Sequence, residues 1–161
     1  MNFNSSTVLL ERCVLCPTVS ARDAELLSIG FAHSDPWKTL GVSASHLKNY
    51  LLRDDTHLQR YLIQVEQQTV GIVCLRYPWL RGAYIELLGL LPDYRNHGIG
   101  TELLTWLEQQ TNSPNLWLAA SEFNHAALHF YQRHGFQIVG TLEALVHPDY
   151  NELLLRKRLH F

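Results

Sequence analysis

The chain has 161 residues, of which 47% are hydrophobic and 17% are charged, and its formal net charge is -2. This length suits one domain with a sizeable core, and the composition is that of an ordinary globular protein. The small net charge argues against a general nucleic-acid or membrane surface, and no segment is apolar over the roughly 20 residues that a bilayer span needs.

The N-terminal half of the sequence predicts a strand, two helices and two further strands. Apolar residues recur at helical spacing at Ala24, Leu27 and Phe31, and Ser43 is a residue type that begins helices. An Asp-Pro pair between these two regions breaks regular structure. The expected elements are a strand over residues 8–14, helices over 21–32 and 43–52, strands over 61–66 and 70–76, and a turn over 77–82.

The segment that follows combines a strand with an anion site. Residues 83–91 are almost continuously apolar, which predicts a buried strand, and a polar turn separates them from an amphipathic helix. Gly98 and Gly100 stand at the start of that helix and leave its free N–H groups accessible to an anion, above all a phosphate. Arg95 adds a positive charge beside them.

Three kinds of phosphate loop compete for this segment. No Walker A run is present, and a Rossmann loop would need a third glycine after Gly98 and Gly100. The pattern Arg/Gln-x-x-Gly-x-Gly/Ala fits residues 95–100 without a gap. It resembles the pyrophosphate loop of the GNAT superfamily of N-acetyltransferases, which bind acetyl-CoA. The alternative is an ordinary strand-to-helix turn, since paired glycines are also common turn residues.

A second signature follows in the region after residue 115. Residues 116–121 predict a short strand, Asn124 suits the start of a helix and Gly135 suits its end. The run of strand, Asn, Ala, Phe-Tyr, Arg and Gly-Phe resembles the second signature of the same superfamily. Together the two signatures are more specific than either alone, and the resemblance covers residues 88–140.

Closing strands are expected over residues 137–142 and 152–159. The mixed order of strands and helices predicts one α/β (α+β) domain over residues 1–161, with parallel and antiparallel neighbours in its sheet. The resemblance implies the acyl-CoA N-acyltransferase fold, with about seven strands flanked by about four helices. It also implies that the sheet splays apart between the strand before the phosphate loop and the next strand, and that the pantetheine arm enters there.

The resemblance assigns the cofactor site residue by residue. Backbone N–H groups of residues 96–101 would face the pyrophosphate, and the backbone of residues 88–91 would pair with the pantetheine amides. The N–H of Leu90 or Leu91 would then support the oxyanion. The expected acetyl-CoA-binding residues are Leu88, Leu90, Leu91, Arg95, Asn96, His97, Gly98, Ile99, Gly100, Thr101, Asn124, Ala127, Phe130, Tyr131 and Arg133.

Tyr131 is the candidate general acid. Ala127, Phe130 and Tyr131 share one helix face by their spacing. By resemblance Tyr131 protonates the coenzyme A thiolate, while Asn124 orients the pantetheine arm or the tyrosine hydroxyl. The alternative is ordinary packing of an amphipathic aromatic ring.

Glu86 is the candidate general base. It is the sole acid in an apolar strand, where an unpaired carboxylate is costly to bury. In the absence of a bulge, alternation puts Glu86 on the face of Tyr84, Leu88 and Leu90. The alternative is a solvated edge of the sheet, and Ser121 and Glu122 are further candidates for ordering a water.

The acceptor site is the least defined part of the sequence. Expected contacts are Asp35, Trp37, Trp79 and Tyr84, although the tryptophans could equally close the core. Peptide N-termini, lysine side chains, polyamines, aminoglycosides and small amino compounds all remain open as acceptors. Thus a small-molecule or peptide amine is the expected partner, and nucleic acid and membrane are not.

No metal site is expected. Cys13 and Cys16 have zinc-like spacing without a second pair, and His125 and His129 lack an evident third ligand. Three cysteines, an odd number, fit a reducing compartment, and the first residues lack the pattern of a secretion signal. The cytoplasm is therefore the predicted compartment, and the resemblance adds a homodimer as an expectation.

The leading hypothesis is an acetyl-CoA-dependent N-acetyltransferase that moves an acetyl group directly to a primary amine in a ternary complex. The alternative is a non-catalytic acyl-CoA-binding sensor on the same fold, which needs the phosphate loop but neither Tyr131 nor Glu86. A plain α/β interaction domain without a cofactor is the third hypothesis, and the paired signatures argue against it.

Overall fold

The computed structural model describes residues 5–159, which form eight strands and four α-helices. A short 3-10 turn, Pro92–Tyr94, precedes the third helix. The elements in chain order are β1 (Val8–Leu9), β2 (Val14–Cys16), α1 (Ala21–Ala32), α2 (Ala44–Leu52), β3 (Leu58–Val65), β4 (Gln68–Trp79), β5 (Gly82–Leu90), α3 (Ile99–Gln110), β6 (Asn115–Ser121), α4 (His125–Arg133), β7 (Gln137–His147) and β8 (Tyr150–Arg158).

One mixed sheet, in the order β1-β2-β3-β4-β5-β6-β8-β7, carries a hydrophobic cluster on each face. Helices α1 and α2 pack on one cluster, and helices α3 and α4 pack on the other. The expected layered α/β architecture is therefore confirmed. None of the described helices is long and apolar enough to cross a membrane.

Local capping explains why the first two helices begin where the sequence predicts. Ser20 accepts a hydrogen bond from the Asp23 N–H at 3.1 Å, and the Asp23 carboxylate accepts one from the Ser20 N–H in return. Ser43 accepts from the His46 N–H at 3.1 Å in the same way. These bonds satisfy N–H groups that a helix start otherwise leaves unpaired.

The single first strand expected over residues 8–14 is wrong, because a tight turn divides it into β1 and β2. The N–H groups of Glu11 and Arg12 turn toward the Glu102 carboxylate on α3, with N···O distances of 2.8 and 3.0 Å. This long-range contact holds the hairpin and gives the sheet eight strands where about seven were expected.

The expected turn over residues 77–82 is also too long. Strand β4 runs through Pro78 to Trp79, and the reversal is confined to Leu80 and Arg81, which have φ of 39° and 59°. Two consecutive residues at positive φ make the compact hairpin turn whose twist matches that of the flanking strands.

The sheet opens between β5 and β6. These two strands run parallel and pair only where residues 83–85 lie beside residues 116–118. Beyond Ile85, β5 keeps its pairing with β4, and β6 keeps its pairing with β8. The expected splay is confirmed, and the gap is where the cavities described below lie.

A bulge in β5 changes which face Glu86 occupies. Ile85 pairs with Leu75, and Leu87 pairs with Cys74, so Glu86 is the extra residue between two adjacent partners. Leu88 packs on the cluster that faces α3 and α4, whereas Glu86 is contacted from the opposite side by Tyr50 of α2. The common face of Glu86 with Leu88 and Leu90 was expected only in the absence of a bulge, and the bulge removes it.

Candidate functional site

A cavity of about 460 Å³ lies where the end of β5, the start of α3 and one face of α4 meet. It contains most of the residues that the sequence assigned to the cofactor. The lining residues are Asp35, Pro36, Trp37, Leu88, Gly89, Leu90, Arg95, Asn96, Gly98, Gly100, Thr101, Asn124, Ala126, Ala127, Phe130, Tyr131 and Arg133. We call this space the donor cavity.

The start of α3 presents unpaired N–H groups to the donor cavity. Gly98 is the N-cap with φ of +84° and has no side chain to cap the helix. The N–H groups of Ile99, Gly100 and Thr101 precede the first closed turn, in which the Glu102 N–H donates to the Gly98 carbonyl at 3.1 Å. These three donors and the helix dipole make an anion site.

Phe130 of α4 packs directly on this helix start. A Cβ atom on Gly100 would lie 2.9 Å from Cζ of the Phe130 ring. Glycine at this position therefore lets the two helices approach closely, and both residues line the donor cavity. Asn124 begins α4 by accepting a hydrogen bond from the Ala127 N–H at 3.3 Å, as the sequence predicts.

Arg95 is a positioned cation on the rim of the donor cavity. Its guanidinium donates to the Leu90 carbonyl at 3.0 Å, to Ser34 Oγ at 3.3 Å and to the Asp35 carbonyl at 3.4 Å. Burial lowers the pKa of Arg95, and the nearby Asp35 carboxylate opposes that shift. Arg133 is the second cation that lines this cavity.

The backbone of β5 offers donors to the gap at alternate residues. The Leu91 N–H is already bonded to the Val70 carbonyl at 2.8 Å, so of the two expected oxyanion donors, Leu90 and Leu91, only Leu90 has a free N–H. Hydrogen-bonded and non-hydrogen-bonded pairs alternate along an antiparallel ladder. Leu88 and Leu90 therefore turn their N–H groups away from β4 and toward the gap.

Two other predicted cofactor residues have side chains outside the donor cavity. His97 is exposed in the loop before α3, and Ile99 is 4% exposed and packs in the core. Asn96 does line the cavity and has φ of 62°, a left-handed conformation that asparagine tolerates well. Ile99 can thus serve a ligand at this helix start through its backbone N–H, and its side chain belongs to the core.

Tyr131 stands where two cavities meet. Its ring packs between those of Phe130 and Phe136, with centroid distances of 5.2 and 5.7 Å, and the residue is 9% exposed. Within residues 5–159 its hydroxyl has no hydrogen-bond partner. Burial raises the pKa of Tyr131, so the phenol stays protonated at neutral pH.

The second cavity, of about 230 Å³, continues from Tyr131 to the ends of β6 and β8, and we call it the acceptor cavity. It shares Pro36, Trp37, Leu88, Asn124, Ala127 and Tyr131 with the donor cavity. Its further lining residues are Leu40, Val42, Tyr84, Ile85, Glu86, Leu87, Leu118, Ala119, Ala120, Ser121, Leu145, Val146 and Glu152.

Glu86 lines the acceptor cavity, but its carboxylate is already paired. Arg76 donates from Nη2 to Oε1 at 3.0 Å and from Nε to Oε2, and the Tyr50 hydroxyl donates to Oε1 at 3.0 Å. The pKa of Arg76 is raised by its hydrogen bond to Glu86 and by a second one to Asp55. This geometry describes a fixed anion that is compensated by a neighbouring guanidinium.

Glu152 is a site residue that the sequence reasoning missed. It is 7% exposed, lines the acceptor cavity and accepts a 2.5 Å hydrogen bond from the Ser121 hydroxyl. Burial raises the pKa of Glu152, the Ser121 hydrogen bond lowers it, and the charge of Glu122 raises it. Its sequence signal is the same as that of Glu86, a single acid beside an apolar run.

The four residues expected to contact the acceptor do not all lie in one cavity. Trp37 and Tyr84 line the acceptor cavity, and Asp35 lines the donor cavity. Trp79 lines neither cavity, and its ring stacks on that of Tyr84 with a centroid distance of 4.6 Å. Burial raises the pKa of Tyr84 to about 12, with further contributions from the charges of Glu86 and Glu152.

The described cysteines are free thiols, and none of them lines either cavity. Over residues 5–159, no group of three or more His, Cys, Asp or Glu side chains is placed to hold a metal ion.

The chain is similar to several known proteins. A model of the acetyltransferase (GNAT) family matches residues 26–136. Streptothricin acetyltransferase A of Bacillus subtilis (strain 168) is 30% identical over 102 residues, which are 59% of this chain and 58% of that protein. N-alpha-acetyltransferase 50 of Danio rerio is 37% identical over 79 residues, 45% of this chain and 47% of that protein.

These matches span only about half the length of the two curated relatives. A solved acetyltransferase from Thermus thermophilus is similar over nearly the whole fold. Its TM-score is 0.72 at 22% identity, covering 96% of this chain and 100% of that one.

Proposed function

The chain belongs to the acetyltransferase (GNAT) family, and we propose that it is an acetyl-CoA-dependent N-acetyltransferase that acts on a primary amine. The observation that carries this proposal is the junction of two cavities at Tyr131. One cavity ends on an anion site, and the other is lined by carboxylates. A donor and an acceptor can therefore meet at a protonated phenol.

The donor cavity suits coenzyme A by its chemistry. The N–H groups at the start of α3, with Arg95 and Arg133, would hold the negatively charged pyrophosphate. The N–H groups of Leu88 and Leu90 would pair with the pantetheine amides across the open gap of the sheet. When bound, acetyl-CoA supplies an activated thioester.

The residues around the junction account for the remaining requirements of acyl transfer. The Leu90 N–H, which faces the gap, supports the negative charge on the carbonyl oxygen during attack by the amine. As the C–N bond forms and the C–S bond breaks, Tyr131 gives its hydroxyl proton to the departing thiolate. The resulting phenolate takes the surplus proton from the new amide nitrogen, so Tyr131 ends as it began.

We propose direct transfer in a ternary complex and no covalent acyl-enzyme. A thiol nucleophile would have to stand in the cavity beside a base. Cys13 and Cys74 are buried elsewhere. The pKa of each is raised to about 12, by burial and, for Cys13, also by the Glu102 carboxylate, which keeps both as unreactive thiols. Glu86 remains in the proposal as a fixed anion of the acceptor wall.

The test is release of free thiol from acetyl-CoA in the presence of primary amines, with the acetylated product identified by mass spectrometry. We expect thiol release that requires both the protein and an amine, and a product with one added acetyl group. Binding of acetyl-CoA with no product from peptides, polyamines, aminoglycosides or alkylamines would instead support the non-catalytic sensor.

A further inference from the structure

The acceptor cavity contains a buried carboxylate whose charge is not compensated. Glu152 is 7% exposed, and the one side-chain hydrogen bond that it makes within residues 5–159 comes from the neutral Ser121 hydroxyl. It makes no ion pair with any residue that the structure describes. An ionised carboxylate in such a place is costly unless a cation arrives to pair with it.

The other charged groups of the acceptor cavity also favour a cationic ligand. Glu86 is its only other carboxylate among the described residues, and Arg76 already compensates that group from outside the cavity. No Lys, Arg or His is among the described residues that line the acceptor cavity. By contrast, the donor cavity is lined by Arg95 and Arg133. The acceptor side therefore suits a cation, and the described residues that line it include no cationic side chain that could pair with an anion.

We propose that the acceptor cavity binds the ammonium group of an amine that has no carboxylate beside it, and that Glu152 takes the proton which makes this amine nucleophilic. This inference rests on the function proposed above. It names Glu152 as the base where the sequence had favoured Glu86. Amino-acid amides, peptide N-termini and alkyl polyamines fit this class, whereas free α-amino acids do not.

The proton balance of the step is simple. The bound ammonium gives one proton to a carboxylate oxygen of Glu152, and the neutral amine then attacks the thioester carbonyl. Tyr131 protonates the thiolate and recovers a proton from the amide nitrogen, as described above. Glu152 returns its proton to solvent once the product leaves, so each turnover releases one proton in total.

Several titratable or charged groups lie around Glu152, and the charge of Glu122 is the one that raises its pKa in addition to burial. Glu122 follows Ser121 at the end of β6, Tyr84 and Glu86 come from β5, and Tyr131 comes from α4. Leu142 is its uncharged partner on β7. Since the base must be ionised, activity should rise with pH through an apparent pKa above the ordinary carboxyl range.

The substrate class is tested with matched pairs of amines. Leucinamide and leucine carry the same amine and side chain, and lysinamide and lysine form a second pair. At saturating acetyl-CoA we expect kcat/KM to be at least about 10-fold higher for each amide than for its acid. Equal or faster acetylation of the free acids would overturn the assigned class.

The residue is tested with Glu152→Gln, which keeps the shape of the side chain and its ability to accept from Ser121. We expect kcat to fall by about 100-fold or more, the acid limb of the pH profile to disappear, and the Kd for acetyl-CoA to stay within about twofold. A purely structural role would leave the shape of the pH profile unchanged. Retention of that limb would therefore overturn the assignment.

Folding provides a readout that is independent of turnover. Because the pKa of Glu152 is raised in the folded state, ionisation weakens the fold as pH rises. Glu152→Gln should match wild type near pH 4 and be more stable at pH 8, by urea unfolding. A variant that is less stable at every pH would show a structural carboxylate and overturn the proposal.

Glu143→Gln is the matched control, since Glu143 is exposed on β7 and lines neither cavity. It should change none of these measurements. Two different results would separate failure of the proposed acetyltransferase function from failure of the proposed acceptor class. Loss of acetyl-CoA binding by wild type would refute the proposed function, whereas intact binding with no reaction of either amide would refute only the acceptor class.

Discussion

The ring of Phe130 lies 2.9 Å from the position that a Cβ atom on Gly100 would occupy, so the contact between α3 and α4 depends on a missing side chain. Gly100→Val would push the ring into the donor cavity. We expect the Kd for acetyl-CoA to rise by at least about 10-fold, and overpacking to reduce the free energy of unfolding by about 1–3 kcal/mol. Calorimetry and urea unfolding measure the two effects.

Gly140→Val is the control for this change, because no atom lies within 4 Å of a Cβ on Gly140. Valine is favourable in a strand, so neither stability nor acetyl-CoA binding should fall. Wild-type affinity for acetyl-CoA in Gly100→Val would show that the cofactor does not lie against Phe130.

Tyr131→Phe removes only the hydroxyl that is proposed to protonate the thiolate. We expect kcat to fall by about 10²–10⁴-fold while the Kd for acetyl-CoA stays unchanged. The free energy of unfolding should not decrease, because this hydroxyl has no hydrogen-bond partner within residues 5–159. Wild-type turnover across the whole pH range would rule out Tyr131 as the acid.

Arg95→Lys keeps the positive charge but loses the planar fork that joins Leu90 to the loop at Ser34 and Asp35. We expect weaker binding of acetyl-CoA by about 10-fold and faster hydrogen exchange in residues 34–37. Arg95→Gln should bind more weakly still and show a smaller dependence on salt. Unchanged exchange in Arg95→Lys would mean that the guanidinium does not hold this loop.

Glu86→Gln tests whether Glu86 acts as a fixed anion or as the general base. Loss of the charged pair with Arg76 should reduce the free energy of unfolding by about 1–2 kcal/mol, since both side chains are about one-fifth exposed. Turnover should fall by less than about 10-fold, far less than in Glu152→Gln. A loss of about 100-fold or more, together with a lost acid limb in the pH profile, would restore Glu86 as the base.

Local signals in the sequence predicted much of this fold. Ser43 and Asn124 begin their helices through bonds to residues three positions later, so the pattern that predicts them is contained in one turn of chain. The two glycines before α3 and the aromatic face of α4 are similarly local. Hence the donor cavity could be assembled from two short motifs.

The acceptor cavity could not be predicted in the same way, because it depends on contacts between residues that are far apart in the sequence. Glu102 divides the first strand by holding residues about 90 positions earlier, and nothing near Glu11 or Arg12 signals this. The bulge at Glu86 and the pairing of Ser121 with Glu152 are set by strand register. Strand register decides that Glu86 pairs with Arg76 and that Glu152 stays without a cationic partner. The periodicity of the sequence alone does not reveal this register.

We propose that acetyl-CoA binds in the cavity between β5, α3 and α4. Calorimetric titration of the wild-type protein with acetyl-CoA tests it most directly, with Gly100→Val and Gly140→Val titrated in parallel. We expect one site of micromolar affinity for acetyl-CoA, and we expect only the change at Gly100 to weaken it. Absence of binding to well-folded wild-type protein, or equal binding by all three, would contradict it.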